Sequence, residues 1–221
     1  MTSLYLPPTA SSLFETNPGR NLLPFDGEVH YHGPVLNPCE AQQAFDRLIE
    51  TVPWKHERIV IFGKIIQTAR MVAWFGDAAF TYIYSGTAKT ALPWTTELRH
   101  LKALVESRSG CSYNSCLCNL YHHGAEGMGW HSDDEAMLGQ NSAIASLSLG
   151  AERKFCFRHV TKALPAPLSI WLENGSLLVM KGSTQQFWQH SLPKSQKIRA
   201  PRINLTFRTI ITPATNEQGR F

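Results

Sequence analysis

The amino-acid sequence predicts an α+β fold that is mainly β, with supporting helices and a sandwich, barrel or jelly-roll core. Three observations predict it. After Gly110 the chain breaks into short β-type runs (SCLCNLY, AIASLSLG, KFCFRH, LSIWLE, GSLLVM, QFWQHSL and RINLTFRTII) punctuated by Gly, Pro and Asn, the pattern of antiparallel sheets that close or pack in two layers. Two segments with apolar residues at three- and four-residue spacing precede those runs. The last run alternates strictly between polar and apolar residues, as a strand with two different faces must.

The elements follow in chain order. Residues 1–36 are rich in Pro, Gly, Asn and Ser without periodicity and are expected as an extended N-terminal arm. Asn37 then caps a helix, Pro38 fits its first turn, and Glu40 suits the positive end of its dipole. Ala41, Ala44, Phe45, Leu48, Ile49 and Val52 share its apolar face, and Pro53 ends it. From His56 to Tyr84 the residues are β-type: RIVIFGK, then MVAWF, a turn at Gly76-Asp77, then FTYIY. A second helix follows Pro93-Trp94, capped by Thr95 or Thr96. Its stripe is Leu98, Leu101, Leu104 and Val105, and Gly110 closes it. The expected organisation is an extension at 1–36, a helix and a β-rich segment able to cover the core's mouth at 37–95, the β core at 96–212, and a tail at 213–221.

Composition narrows the class. A chain of 221 residues, 43% hydrophobic, can bury a sizeable core. A net charge of +4 with a pI near 8.8 is compatible with an anionic partner. From Asn174 to Asn216 there is no Asp or Glu, while Lys181, Lys194, Lys197, Arg199, Arg202 and Arg208 all fall inside. Such a stretch is either a solvated basic surface or a site for phosphates or carboxylates. Five cysteines are odd for a disulfide framework, and Cys111, Cys116 and Cys118 lack paired C-x-x-C spacing. They read as free thiols in a reducing compartment, with Cys116 and Cys118 buried in a strand. No apolar run approaches the ~20 residues of a membrane span, and MTSLYLPPTASSLF lacks the basic start and apolar core of a secretory signal. The expectation is a monomer without membrane contact, cytoplasmic if bacterial and nuclear if eukaryotic.

His131 and Asp133 sit two apart in GMGWHSDDE, so in extended chain they project to one side. Completed by a distant histidine, they form a two-histidine, one-carboxylate triad that leaves open positions on ferrous iron. A surface His-Asp pair is the alternative for H-x-D alone. His159 and His190 are the candidate third ligands, and His190, in QFWQHSLP, is preferred because a jelly roll returns such a strand beside the first. His122 and His123 are expected to face solvent. The final strand puts Arg202, Asn204, Thr206 and Arg208 on one face and Ile203, Leu205 and Phe207 on the other. Arginine grips carboxylates with a fork that lysine lacks. With Arg202 and Arg208 ~20 Å apart along a straight strand, long side chains reaching inward hold opposite ends of a small diacid. Asn119 and Tyr121, also two apart, either complete that pocket or make ordinary core hydrogen bonds.

With N-x-Y at 119–121, H-x-D at 131–133, His190 and R-x-N-x-T-F-R at 202–208 in this order, the chain resembles the AlkB-type dioxygenases over roughly residues 58–211. Within that family it is most similar to the branch of the eukaryotic double-strand-preferring homologue, through IFGK at 61–64, FGDAAFTYIYSG at 75–86, HSDDE at 131–135 and HSLP at 190–193. The resemblance implies a double-stranded β-helix (jelly roll) with a nucleotide-recognition lid. It implies Fe(II), 2-oxoglutarate and O2 as cofactor and co-substrates, and oxidative dealkylation of bases such as 1-methyladenine and 3-methylcytosine as the activity. It makes His131, Asp133 and His190 the iron ligands, and Asn119, Tyr121, Arg202, Thr206 and Arg208 the contacts to 2-oxoglutarate.

For the substrate, alkylated DNA, the resemblance implies stacking by Tyr84 and a pocket wall at Tyr82. It makes Phe62, in Phe62-Gly63-Lys64, the finger that fills the gap left by a flipped base. Arg70 is expected at a phosphate or in solvent. Such lesions are cationic, so a carboxylate among aromatic faces prefers them, and Asp134 is the expected carboxylate. The segment RHVTKALPAPLSIW is shorter and less basic than the loop with which the duplex-preferring relative grips the opposite strand, so single-stranded DNA and RNA stay open as substrates. The alternatives are the same chemistry on RNA, a protein side chain or a lipid, or a non-catalytic nucleic-acid-binding jelly roll.

Overall fold

Asn37 starts helix α1 (Pro38–Thr51) with a reciprocal cap: its side chain accepts from the Glu40 amide, and the Glu40 side chain accepts from the Asn37 amide. Thr95 does the same one-sidedly for α2 (Thr96–Ser109), which ends at Gly110 in the left-handed region, φ 67°. The structure is a computed structural model that describes residues 17–61, 64–84, 87–162 and 167–211.

The strands are β1 (Glu28–Pro34), β2 (Lys55–Ile61), β3 (Lys64–Gly76), β4 (Thr81–Tyr84), β5 (Thr87–Thr90), β6 (Leu92–Pro93) and β7 (Ser115–Tyr121). They continue with β8 (Met128–His131), β9 (Ile144–Gly150), β10 (Arg153–His159), β11 (Leu168–Leu172), β12 (Ser176–Lys181), β13 (Trp188–Leu192) and β14 (Arg202–Arg208). A large sheet runs β1-β12-β9-β14-β7-β3-β2, with β6 beside β3. A four-stranded sheet runs β11-β10-β13-β8, and β4 pairs with β5 alone. The two main sheets face each other as the jelly roll requires.

Alternation along the large sheet divides the interior into two layers. On one face Ile203, Leu205 and Phe207 of β14 join Cys116 and Cys118 of β7, Leu147 and Leu149 of β9, and the inner stripes of α1 and α2. The other face meets the small sheet, where Tyr121, Phe155, Phe157, Leu178, Met180 and Trp188 pack together. β14 lies between β7 and β9, antiparallel to both, so its polar residues face a buried space and not solvent.

Several expectations change. The stretch read as an arm up to residue 36 contributes β1, an edge strand antiparallel to β12, with Val29 and Tyr31 buried. Its EVHYHGP sequence hides the alternation, because histidines fill the outward positions. Ile49 is 37% exposed, outside the stripe of Ala41, Ala44, Phe45 and Leu48. β2 and β3 extend the large sheet through the β3–β7 pairing, while β4 and β5 form a separate two-stranded sheet within the same β-rich segment. Other expectations hold: the cysteines of the described residues are free thiols, with Cys116 and Cys118 buried. Among the described residues no helix is long and apolar enough to cross a membrane.

Gly150 ends β9 opposite Arg202, at φ 86°, where a Cβ would stand 2.6 Å from the Pro201 carbonyl oxygen and 2.9 Å from the Phe45 ring. Gly150→Ala therefore adds left-handed strain to a backbone clash. It is expected to lower the melting temperature by at least ~2–4 °C, read by thermal denaturation.

Candidate metal centre and active-site cavity

The site is assembled where β8 pairs with β13. His131 and His190 lie directly opposite in register, with ring centroids 4.2 Å apart. Asp133 follows the end of β8. Its amide donates to Gln185 Oε1 at 2.9 Å, and Ser132 Oγ donates to the Trp188 carbonyl at 3.2 Å, so the H-x-D segment is tied to the start of β13. One ligand atom from each of His131, Asp133 and His190 lies within 4.8 Å of the others. His159, the other candidate, is elsewhere: buried among Phe25, Phe187 and Trp188, and 3.3 Å from Asp26. His122 is exposed and bonded to Glu126.

Hydrogen bonding orients one of the three side chains, and burial and neighbouring charge set the protonation of the other two. His131 Nδ1 lies 2.9 Å from the Gly129 carbonyl. A carbonyl only accepts, so Nδ1–H donates to it and the ring is turned with Nε2 toward Asp133, 3.8 Å from its Oδ1. His190 is 4% exposed, beside the Phe155 ring. Burial pulls its pKa down to about 4, with Asp133 opposing and His131 and Arg208 assisting, so it is neutral at pH 7. Burial alone would raise the Asp133 carboxyl. The Arg208 charge, then His190 and His131, outweigh that and hold it below its ordinary value. The Arg208 guanidinium donates to Asp133 Oδ2 at 2.9 Å and lies 3.7 Å from Glu135.

Along the same wall lies an anion seat. Arg202 is 2% exposed and donates to Ser148 Oγ at 2.9 Å, its guanidinium 5.6 Å from the Tyr121 ring. Burial drops its pKa to about 10, with Tyr121 opposing and Arg153 assisting. Its Nε and Asn119 Oδ1 are buried without a hydrogen-bond partner among the described residues. Asn204 donates to Ser146 Oγ, and Thr206 donates to Asn204 Oδ1. A buried guanidinium without a carboxylate is costly, and an entering carboxylate satisfies it. The donor set therefore fits a diacid that reaches from Arg202 to a metal beside Arg208.

These groups line one cavity of about 420 Å³. It brings together His131, Asp133, His190, Asn119, Tyr121, Arg202, Thr206, Arg208, Asp134 and Arg70. Arg70 is half-buried rather than in solvent, bonding Glu57 at 2.6 Å and the Met128 sulfur at 3.2 Å. Asp134 is exposed at the rim. Sequence reasoning passed over Glu135 beside it, whose Oε2 is buried within the same wall without a partner among the described residues. The third carboxylate of HSDDE was the available signal. Glu57 was also missed, because only the β2–β3 register brings it to Arg70. Phe62 and Gly63 lie outside the described residues. Lys64 opens β3, and Tyr82 and Tyr84 belong to the β4–β5 hairpin, but their side chains are likewise outside the description.

A jelly roll carrying a histidine–aspartate–histidine cluster and a buried, counter-ion-seeking arginine in one cavity is the class of mononuclear oxygenases that use a diacid co-substrate. Residues 27–208 match the model of the 2OG-Fe(II) oxygenase superfamily. The alpha-ketoglutarate-dependent dioxygenase alkB homolog 3 of Bos taurus is 41% identical over 182 residues, covering 77% of this chain and 62% of that protein. DNA oxidative demethylase ALKBH2 of Homo sapiens is 38% identical over 186 residues, 80% of this chain and 71% of that protein. The solved structure of OsALKBH1 shares the fold, with a TM-score of 0.58 at 16% identity over 82% of this chain and 96% of that one. The chain belongs to the 2-oxoglutarate- and iron(II)-dependent oxygenases, and within them to the AlkB type; it spans 62% of the length of the bovine alkB homolog 3 it matches.

Arg208→Gln leaves the three metal-facing side chains intact but removes the partner of Asp133. It is expected to weaken binding of Mn(II), read by calorimetry, by roughly 10- to 100-fold. Equal affinity in wild type and variant would show that Asp133 needs no such orientation.

Proposed function

We propose that this chain oxidatively dealkylates N-alkylated nucleic-acid bases, such as 1-methyladenine and 3-methylcytosine in DNA, as direct-reversal repair. The observation that carries the reading is the shared cavity, with a metal cluster at one end of a polar wall, Arg202 at the other, and carboxylates around the remaining space. The names of the relatives support it, since one is a dioxygenase and the other a DNA oxidative demethylase.

His131, Asp133 and His190 would hold iron(II), a donor set that suits ferrous chemistry with a diacid co-substrate and O2. Arg202 takes the remote carboxylate of 2-oxoglutarate with Asn119, Tyr121 and Thr206 beside it, and Arg208 serves the metal end. Bound there with 2-oxoglutarate and O2, iron(II) would supply the oxidising power for hydroxylating the N-methyl group, the co-substrate leaving as succinate and CO2 and the unstable hydroxymethyl product releasing formaldehyde. The protein contributes placement. Arg208 orients Asp133, and the packing of Phe155 against His190 excludes water from that ligand.

Substrate choice follows from charge. A 1-methyladenine or 3-methylcytosine base is cationic, and Glu135 and Asp134 face it with negative charge, which favours it over normal bases. Tyr84 stacks on the base, Tyr82 lines its pocket, and Phe62 with Gly63 and Lys64 occupies the gap in the strand. Arg70 shapes the pocket through Glu57.

Mass spectrometry of a single-stranded oligonucleotide bearing one 3-methylcytosine tests the reading, after incubation with iron(II), 2-oxoglutarate and O2. Wild type is expected to remove the methyl group and His131→Ala to leave it. Succinate without demethylation would move the substrate elsewhere, and neither product from iron-loaded protein would end the enzymatic reading. Duplex and RNA versions of the oligonucleotide rank strand preference. Arg202→Lys keeps a charge but loses the fork. It is expected to raise the KM for 2-oxoglutarate by roughly 10- to 100-fold, with less change in kcat.

A further inference from the structure

The four-stranded sheet has an inner face that builds the metal site and an outer face that has so far had no role. On β10, Phe155 and Phe157 point inward, while Lys154 and Arg158 are exposed on the other side. Trp171 of β11 stands opposite Lys154 in register and is 52% exposed, unusual for so large an aromatic ring. At the other edge of the sheet Trp130, the residue before His131, carries the Arg158 guanidinium over its ring at 4.6 Å. Gln189 Oε1 accepts from Arg158 Nε and Nη2 at 2.9 and 2.7 Å, which fixes that guanidinium in place. The four strands read LSIWL, RKFCFRH, WQHSL and MGWH, without one Asp or Glu.

We propose that this outer face, from Trp130 to Trp171, is a docking track for a single strand of nucleic acid flanking the target base. The inference rests on the base-dealkylase reading above and adds where the rest of the strand lies. Aromatic rings that accept base stacking, interleaved with cations that meet phosphates, are what sequence-tolerant single-strand binding needs. The two tryptophans stand on the outermost strands, three strand spacings or ~14 Å apart across the sheet, with Lys154 and Arg158 on β10, one of the two strands between. β8 is the sheet's edge and His131 lines the cavity. A strand that delivers its base past β8 therefore turns directly onto Trp130. A duplex holds its bases stacked inward and offers tryptophan no free face, so the track favours single strands.

The test measures binding of unmodified, fluorescein-labelled oligothymidylate and of a duplex of equal length by anisotropy, across a salt series. Demethylation of a 3-methylcytosine oligonucleotide is followed in parallel. Trp130→Ala and Trp171→Ala are each expected to weaken single-strand binding roughly 5- to 100-fold, with little effect on the duplex. Arg158→Gln is expected to reduce the single-strand salt slope by about 0.7. Arg47→Gln, which removes the same charge from α1 on the helical side, serves as the control and keeps wild-type binding. Trp171 is exposed enough to be removed without opening the core, so its variant keeps the test valid if Trp130→Ala loses stability.

Wild-type demethylation with tryptophan variants that bind like wild type would overturn the track and leave the dealkylase standing. Loss of binding in the variants without demethylation by wild type would keep the track and remove the dealkylase reading. No oligothymidylate binding by wild type, or equal losses on duplex and single strand, would overturn the single-strand assignment.

Discussion

The site depends on one constraint, that a strand has two faces and β14 uses both completely. Ile203, Leu205 and Phe207 are fully buried in the layer under the helices. The intervening Arg202, Asn204, Thr206 and Arg208 have nowhere to go but the space between the sheets. Slippage by one residue would put two arginines into the helical core and three large apolar groups into the cavity, so the register is fixed by both faces at once. Pairing on both sides, to β7 and β9, then carries that precision to Asn119 and Tyr121.

Burial sets the electrostatics of this wall and also makes it incomplete. Asp133 and Arg208 compensate one another, whereas Arg202 has hydroxyl and aromatic neighbours and, among the described residues, no carboxylate partner. Burial lowers the pKa of His190 at one end and of Arg202 at the other. At the metal end it keeps the histidine neutral, while the Arg208 charge keeps Asp133 ionised against it. At the far end it leaves a guanidinium whose charge is worth most to an incoming anion.

Much of this was legible in the sequence, wherever a local rule coincided with a tertiary need. Asn37 and Glu40 announce α1, and the alternation of RINLTFR announces β14 and its two faces. The triad was legible because H-x-D is local and β13 returns His190 opposite it. What could not be read depends on register or on neighbours. Glu57 reaches Arg70 only through an irregular hairpin. Ile49 fits the helical stripe, but α1 packs through a narrower face. β1 alternates tyrosine and valine with histidines, and only the partner strand β12 makes that a strand. Glu135 stayed hidden behind the adjacent Asp134, since sequence order does not say which of two carboxylates turns inward.

That distant partnership has a consequence for how the molecule is made. β1 ends at Pro34 and its partner β12 begins at Ser176. At ~5–20 residues per second the ribosome needs on the order of ten seconds to supply the partner. β1 can join its ladder only once β12 has been made, so until then Val29 and Tyr31, both buried in the folded chain, lack their cover. A pairing over such a sequence separation is slow to form and leaves apolar residues open to aggregation meanwhile.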